Sequence, residues 1–505
     1  MSVSQESDLN SFQVVVIGGG PAGTIAALRA RELGAKVALV EKGRMGGVCT
    51  NDGCVPTRVL AHAARLTRES EQFGSYGLYV EKPRVDFARL IARTQEVVDQ
   101  VHGKKQLLEH LDQAGVSVFA GRGPASFIDA RTVVLGDGTR LQAEKFIICG
   151  GGHARRFPFP GSEFVLTHSD VWSLDRLPES VIIVGGAATG CQMASILAAL
   201  GTQVTLMEVN PRLVAVEDEV ISETLMQSFQ QRGMQVITGI GGVQQIHKLE
   251  SGELCLEYRL GSEIRSQTAQ AVIMAVGWIG NLEELNLDAA GVGYERSYIK
   301  VNDYLQTNVP HIFAAGDITG RMMLVQSAGY DGRIAAENVV MGVGQPYRHQ
   351  IVPHGGFTDP EYGSVGLTEA KARAEGIDIA VATVPYLDLD RAVIDEHTVG
   401  QCKLIVSVET HRLLGAHVVG EQALEVIQLV AAGMAADMWV EHLAELELPY
   451  PTYTAIVGMA ARRIAQQLGV IPLSPEWSVL GKGYLAEWER SNRPADTMRG
   501  SQGIS

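Results

Sequence analysis

The stretch VVVIGGGPAGTIAALRARELGAKVALVEK, Val14–Lys42, decides the fold. An apolar run from Val14 to Ile17 leads into a glycine turn, a helical pattern to about Leu33 and a second apolar run ending at Glu41. This is the order of a β-α-β unit. The glycines fall at Gly18, Gly20 and Gly23, so G-x-G-x-x-G stands directly behind a strand and opens a helix. Gly18 permits the tight turn, Gly20 lets a pyrophosphate approach the backbone, and Gly23 lets helix and strand pack closely. Glu41, closing the second strand, is placed to accept hydrogen bonds from a ribose. A glycine fingerprint alone is weak evidence, but in this context it specifies a dinucleotide site.

A second copy begins 167 residues later (185 − 18), in VIIVGGAATGCQMASILAALGTQVTLMEVN, Val181–Asn210. Its fingerprint reads Gly185-x-Ala187-x-x-Gly190, with a methyl at Ala187 where the pyrophosphate would approach, and Glu208 closes the second strand. A carboxylate there suits a free ribose 2′-hydroxyl and repels a 2′-phosphate, which favours NADH over NADPH; a degenerate, non-binding unit is the competing reading. Leu141–Gly152 reads as a strand returning to the first sheet, and Thr307–Thr319 as a strand ending in Gly316-Asp317. Asp317 then lies at the carboxyl end of its strand, where open α/β sheets take ligands. From about Pro353, short β-branched runs followed by helical periodicity through Ala423–Met438 and Ala455–Gln467 mark a third, α+β domain. The expected class is α/β, with two Rossmann-like dinucleotide-binding domains at 1–160 with 282–352 and at 161–281, a third domain at 353–472, and a partly disordered tail at 473–505.

The 505 residues carry 42 Lys and Arg against 57 Asp and Glu, a formal charge of −15, which argues against nucleic acid as a partner. No run of about 18 apolar residues appears, and MSVSQESDLNSFQ at the start has no signal pattern, so the expectation is a cytoplasmic protein without a membrane partner. Six cysteines in so long a chain are not a secreted disulfide scaffold, and the close pair Cys49 and Cys54 reads as redox or metal chemistry first. In GRMGGVCTNDGCVPTRVLAHAARL, Gly43–Leu66, the pair sits at a helix start marked by Pro56, where the positive end of the helix dipole makes a thiol acidic and reactive. No second C-x-x-C or histidine pair completes a tetrahedral zinc site, so no metal site is expected. Cys149, Cys191, Cys255 and Cys402 are isolated and read as core or surface residues.

The order of fingerprint, C-x-x-x-x-C helix, second dinucleotide fold, Gly-Asp strand and C-terminal domain resembles class I pyridine nucleotide-disulfide oxidoreductases, the family of dihydrolipoyl dehydrogenase, glutathione reductase and mercuric reductase. The likeness covers roughly residues 12–470 and includes FTDPEYGSVGLTEAKA, Phe357–Ala372, similar to the opening of the family's dimerisation domain. It implies a homodimer that binds FAD through Gly18, Gly20, Gly23, Glu41, Gly316 and Asp317, and NAD(P)H, with NADH favoured, through Gly185, Gly190 and Glu208. By the same resemblance Cys54 faces the flavin and forms its charge-transfer complex, while Cys49 is the interchange thiol that attacks a substrate disulfide or binds a soft metal.

The chain also departs from the family. In LPYPTYTAIVGMAAR, Leu448–Arg462, Tyr450 occupies the position of the family's catalytic histidine and Ala455 that of its orienting glutamate. A phenol with a pKa of about 10 is a poor proton acceptor at neutral pH. The implied role of Tyr450 is hydrogen-bond donor or metal-proximal ligand; His442, eight residues upstream, does not match the motif and reads as a surface residue. Mercuric reductase resembles this chain in its Pro-Tyr segment, but no cysteine follows Cys402 to deliver a metal ion. The family's lysine and glutamate beside the nicotinamide are Arg58 and Gln192, its aromatic gate is Ala188, and its G-R-x-P-N segment reads Gly277-Trp278-Ile279-Gly280-Asn281. The implied activity is electron transfer from NAD(P)H through FAD to Cys49/Cys54 and on to a disulfide or thiol substrate. One alternative is reduction of Hg(II) or copper, and another is a flavoprotein redox sensor fed by a non-nicotinamide donor.

Overall fold

The computed structural model describes residues 10–348 and 351–470, and the expected tail at 473–505 lies outside them. β1 (Ser11–Ile17), α1 (Pro21–Glu32) and β2 (Val37–Glu41) form the first β-α-β unit. Val14, Val15 and Val16 are all buried, as a parallel strand covered on both faces requires. The sheet continues through β3 (Ser117–Ala120), β4 (Ala125–Asp129), β5 (Thr132–Leu135) and β6 (Arg140–Ile148), in the order β3-β2-β1-β6-β5-β4. The strand Ile312–Ala314 also pairs β6 in parallel and sets Gly316 and Asp317 just beyond its carboxyl end. Both Leu141–Gly152 and Thr307–Thr319 are therefore shorter strands than the apolar runs suggest, because each hands over to a glycine turn that serves the site.

Ala22, Ala26, Ala27 and Ala30 of α1 share a buried cluster with Ile334, Ala335 and Ala336 of the helix Val325–Met341. Gly332 lets these two helices close, since a Cβ there would stand 2.1 Å from the Ala22 carbonyl oxygen.

The second unit comprises Ser180–Val184, the helix Ala188–Leu200 and Gln203–Glu208. Its parallel sheet is completed by Gln235–Thr238 on one side and Ala271–Met274 on the other. An antiparallel sheet of Ile240–Lys248, Leu254–Leu260 and Glu263–Ala269, not apparent from the periodicity, lies between these last two strands in the sequence. The third region is a five-stranded antiparallel sheet, ordered His354–Gly356, Tyr362–Gly366, Leu413–Val419, Gln401–Ser407 and Ile379–Pro385, with the helices Ala423–Ala435 and Ala455–Gln467 packed on it.

A buried polar network joins the second and third regions. Glu217 pairs with His354 at 3.2 Å and accepts from Ser364 at 2.5 Å, while Asp218 pairs with Lys403 at 3.0 Å and accepts from the Glu369 amide at 3.0 Å. Burial works against both charges, yet these partners and the nearby His417 hold both carboxyls below their ordinary values of 4.5 and 3.8. A carboxyl depressed in the folded state stabilises fully above its unfolded pKa and loses that contribution as pH falls through the folded one. Glu217→Gln is therefore expected to flatten the acid limb of stability against pH below about 4.5, read by thermal unfolding across that range. Gly332→Ala is expected to cost about 1–3 kcal/mol by overpacking the crossing with α1, read as a lower unfolding midpoint.

Candidate functional site

Gly18 adopts φ +109°, and a Cβ there would meet the Cys149 carbonyl oxygen at 2.2 Å. Gly20 caps α1 without a side-chain hydrogen bond, the first turn carries no acid, and a Cβ at Gly20 would meet only the Gly47 Cα at 3.7 Å. The amides at the head of α1 thus face open space, the arrangement that binds a phosphate. Glu41 is held in place by the Gly19 and Gly43 amides, each donating at 2.7 Å to a different carboxylate oxygen. Each oxygen keeps a further lone pair for a ribose.

Asp317 follows Gly316, which has φ +78° and lies 3.1 Å from the Ala22 Cβ in the sense that its own Cβ would stand there. Burial pushes the Asp317 carboxyl up to about 6, against a weaker opposing pull from the Trp278 indole. The Trp278 Nε1 atom is buried and makes no hydrogen bond of good geometry. A half-buried carboxyl and an unsatisfied buried donor beside an open phosphate turn fit a cofactor bearing diphosphate, ribose and a polar ring edge. The residues present therefore fit FAD.

The second fingerprint repeats the backbone and changes the surroundings. Gly185 has φ +111°, with a Cβ excluded by the Ala275 carbonyl at 2.3 Å, and Ala187 caps the helix Ala188–Leu200 with an exposed methyl. Glu208 is buried and more fully engaged than Glu41: one oxygen takes the Asn210 amide at 2.7 Å and its side chain at 2.6 Å, and the other takes the Gly186 amide. Gln192 accepts from the Phe357 amide at 3.1 Å, and Arg58 pairs with Glu361 at 2.9 Å while lying 4.7 Å over the Phe357 ring. The positions that carry a lysine–glutamate pair in the family are here both tied to the third region.

Cys49 lies in α2 (Gly47–Asn51) and Cys54 is the first residue of α3 (Cys54–Gln72), so only Cys54 stands at the head of the long helix. Both are free thiols, Cys54 the more exposed. A hydrogen bond from Cys49 brings Cys54 down to about 7, against the cost of burial and with help from its own amide; the same bond, with burial, pushes Cys49 far up. Asp317 raises both thiols and Lys105 lowers both.

The loop between the cysteines is anchored residue by residue. Thr50 accepts from the Lys105 Nζ at 2.9 Å. Asn51 pairs with the His102 Nε2 at 2.7 Å and donates to the Arg44, Met45 and Gly47 carbonyls at 3.2, 3.1 and 3.0 Å. Asp52 accepts from Ser169 at 2.6 Å and from the Trp172 indole at 2.8 Å, with His168 3.7 Å away. His102 and Lys105, on α4 (Phe87–Lys105), were not found by sequence reasoning; a His-x-x-Lys spacing at a helix end is a faint signal when the loop it grips lies some fifty residues earlier.

Tyr450 stands in the third region, 68% exposed, and donates its hydroxyl to Asp390. That hydrogen bond, more than burial, raises its pKa, so it is a donor rather than a base. Ala455 opens the helix Ala455–Gln467, and His442 lies exposed against the Trp439 ring. Cys149, Cys191, Cys255 and Cys402 are all buried, and burial pushes the Cys402 thiol up to about 12.

The family described as pyridine nucleotide-disulphide oxidoreductase matches residues 12–332, and that family's dimerisation domain matches 352–461. A dihydrolipoyl dehydrogenase from Zymomonas mobilis is 31% identical over 448 residues, covering 87% of this chain and 95% of its own. A mercuric reductase from Staphylococcus aureus is 31% identical over 453 residues, covering 89% and 82%. Among solved structures, the HOCl-induced flavoprotein disulfide reductase RclA from Escherichia coli superposes with a TM-score of 0.79 at 27% identity, covering 89% of this chain and 99% of that one. Its Cu(II) complex gives 0.79 at 28%, covering 90% and 100%. Paired nucleotide cradles and an antiparallel third region thus agree with the relatives: the chain belongs to the pyridine nucleotide-disulphide oxidoreductase family, as an oxidoreductase that uses FAD and NAD(P)H.

Proposed function

We propose that this enzyme passes electrons from NADH to a small-molecule or protein disulfide through the Cys49–Cys54 dithiol, as a homodimer in the cytoplasm. The observation that carries the reading is the thiol pair itself: two free cysteines, one in α2 and one at the head of α3, on a segment packed against the phosphate turn. Bound FAD supplies two-electron chemistry between a reduced nicotinamide and a disulfide.

The chain's own residues do the rest. The proton between the two sulfurs can move from Cys49 to Cys54, which frees Cys49 as the attacking thiolate. Cys49 attacks one sulfur of the acceptor disulfide, and the other sulfur leaves as a thiolate and takes a proton. Cys54, giving up its proton to solvent, attacks the Cys49 sulfur, expels the second substrate thiolate and closes the Cys49–Cys54 disulfide. Two electrons leave the dithiol and the substrate gains two thiols. The carboxylate of Glu208 disfavours a 2′-phosphate and so supports NADH. The family's dimerisation domain supports the homodimer. Among the described residues no helix is long and apolar enough to cross a membrane.

A second reading, with a soft metal ion such as Hg(II) or copper as acceptor, draws on Tyr450 and Ala455 in place of a histidine–glutamate pair and on the softness of two thiolates.

Cys49→Ser is expected to abolish acceptor reduction while leaving flavin bound, and Cys54→Ser to remove, in addition, the long-wavelength absorption of the reduced enzyme; unchanged turnover in both variants would overturn the dithiol assignment. Anaerobic titration with NADH should bleach the flavin, whereas reduction by dithionite but by neither nucleotide would point to another donor. Metal-dependent NADH oxidation, with no activity toward dihydrolipoamide or oxidised glutathione, would select the metal reading. Tyr450→His alone should leave dihydrolipoamide activity low, because Ala455 cannot orient the imidazole; high activity in that variant would contradict the role given to Ala455.

A further inference from the structure

Thiolate chemistry in this family member lacks the imidazole that a partner subunit would supply at Tyr450, so the charge on the dithiol must be stabilised from elsewhere. The end of α4 offers a candidate. His102 and Lys105 lie three residues apart on one helix face and hold consecutive residues of the redox loop, Asn51 and Thr50. Thr50 is fully buried and adjoins Cys49, so the 2.9 Å bond to its hydroxyl holds the ammonium of Lys105, an otherwise exposed side chain, against the loop. Lys105 has no carboxylate partner among the described residues, unlike Arg44 nearby, which pairs with Asp99 at 2.8 Å.

We propose that Lys105 is a positioning residue for the redox dithiol: its ammonium, anchored on Thr50, supplies the fixed positive charge that stabilises the thiolate where Tyr450 offers no imidazole. The inference rests on Cys49 and Cys54 being the redox pair.

The other groups facing the dithiol do not provide this charge. Asp317 acts in the opposite sense. Asp52 is a carboxylate whose oxygens are taken by Ser169 and Trp172, with His168 driven toward its neutral form by burial. His102 is likewise lowered by burial and by the charges of Arg44 and Lys105, toward its neutral form. The field of Lys105 lowers both thiols, the direction the geometry requires. Unlike a histidine, the ammonium takes no proton from the thiol; that proton leaves to water and Lys105 stabilises the charge left behind.

The test is the pH dependence of iodoacetamide alkylation of Cys49 and Cys54 in the full-length flavin-containing protein, reduced with a phosphine and read peptide by peptide by mass. Lys105→Met should move the half-point upward by about one pH unit, which for a thiol with a half-point of about 7 is a roughly fivefold slower reaction at pH 7. Lys105→Arg should restore it, and Thr50→Val, which keeps the charge but releases its anchor, should give a smaller shift in the same direction. An unshifted profile in Lys105→Met would overturn the proposal. So would an equal shift in Lys105→Arg, which would mean that packing rather than charge is responsible. Flavin content of each variant checks the fold. Because the readout is thiol acidity, it is independent of turnover in the serine variants, which tests the dithiol assignment itself.

Discussion

At Gly23, and again at Gly190, a helix rests on the preceding turn with no room for a methyl group: a Cβ would lie 1.7 Å from the carbonyl oxygen of Gly18 in one case and of Gly185 in the other. That contact fixes where each helix begins, and with it the direction in which its free amides point. The first copy does more. Gly46 donates to the Gly19 carbonyl at 2.9 Å, and a Cβ on Gly47 would reach the Gly20 Cα at 2.9 Å. The segment that carries Cys49 is thereby packed onto the phosphate turn, so the backbone constraint that shapes the nucleotide cradle also sets the position of the dithiol.

The two cradles share this backbone and differ in charge and access. Glu41 is fixed by two amides and remains partly exposed, whereas Glu208 is buried and held by Gly186 and by both nitrogens of Asn210. Ala187 adds a methyl where the first copy has Gly20. With that added methyl and a less free acid, the second cradle suits a ligand that comes and goes better than one that is retained. Near it, Gln192 and Arg58 are bound to Phe357 and Glu361, so groups expected beside the nicotinamide instead brace the second unit and α3 against the third region.

What could be read from the sequence was what is local. The β-α-β units lie within about thirty residues each, their glycines and acids at fixed offsets, and the cysteine pair announces itself by composition and by Pro56. The structure places Gly18, Gly20, Gly23, Glu41, Gly316 and Asp317 around one turn, with Cys49 and Cys54 beside it. The helix after Cys54 runs to Gln72, and its Arg65 and Arg68 reach Glu421 and Asp359 in the third region. No periodicity carries such partners. The anchors of the redox loop on α4 and at Ser169 and Trp172, the junction at Glu217 and Asp218, and the bond between Tyr450 and Asp390 all join segments far apart in sequence, and each depends on a tertiary fold that the local pattern implies only in outline.

The consequence for catalysis turns on the difference between a base and a fixed charge. An imidazole held by a glutamate accepts the thiol proton and returns it to the leaving sulfur, so it serves an acceptor that must be protonated. Tyr450, donating to Asp390, cannot accept that proton, and Lys105, already an ammonium, cannot either. On the proposed roles, what this chain retains is a Cys54 thiolate at the head of α3, favoured by Cys49 and by Lys105 and opposed by Asp317. Such a site is always partly armed at neutral pH but relies on solvent for protons. On the proposed reading it favours acceptors whose products are stable as anions or need no proton, which include disulfides of acidic thiols and soft metal ions, over an alkyl disulfide such as lipoamide, whose sulfurs must be protonated as they leave.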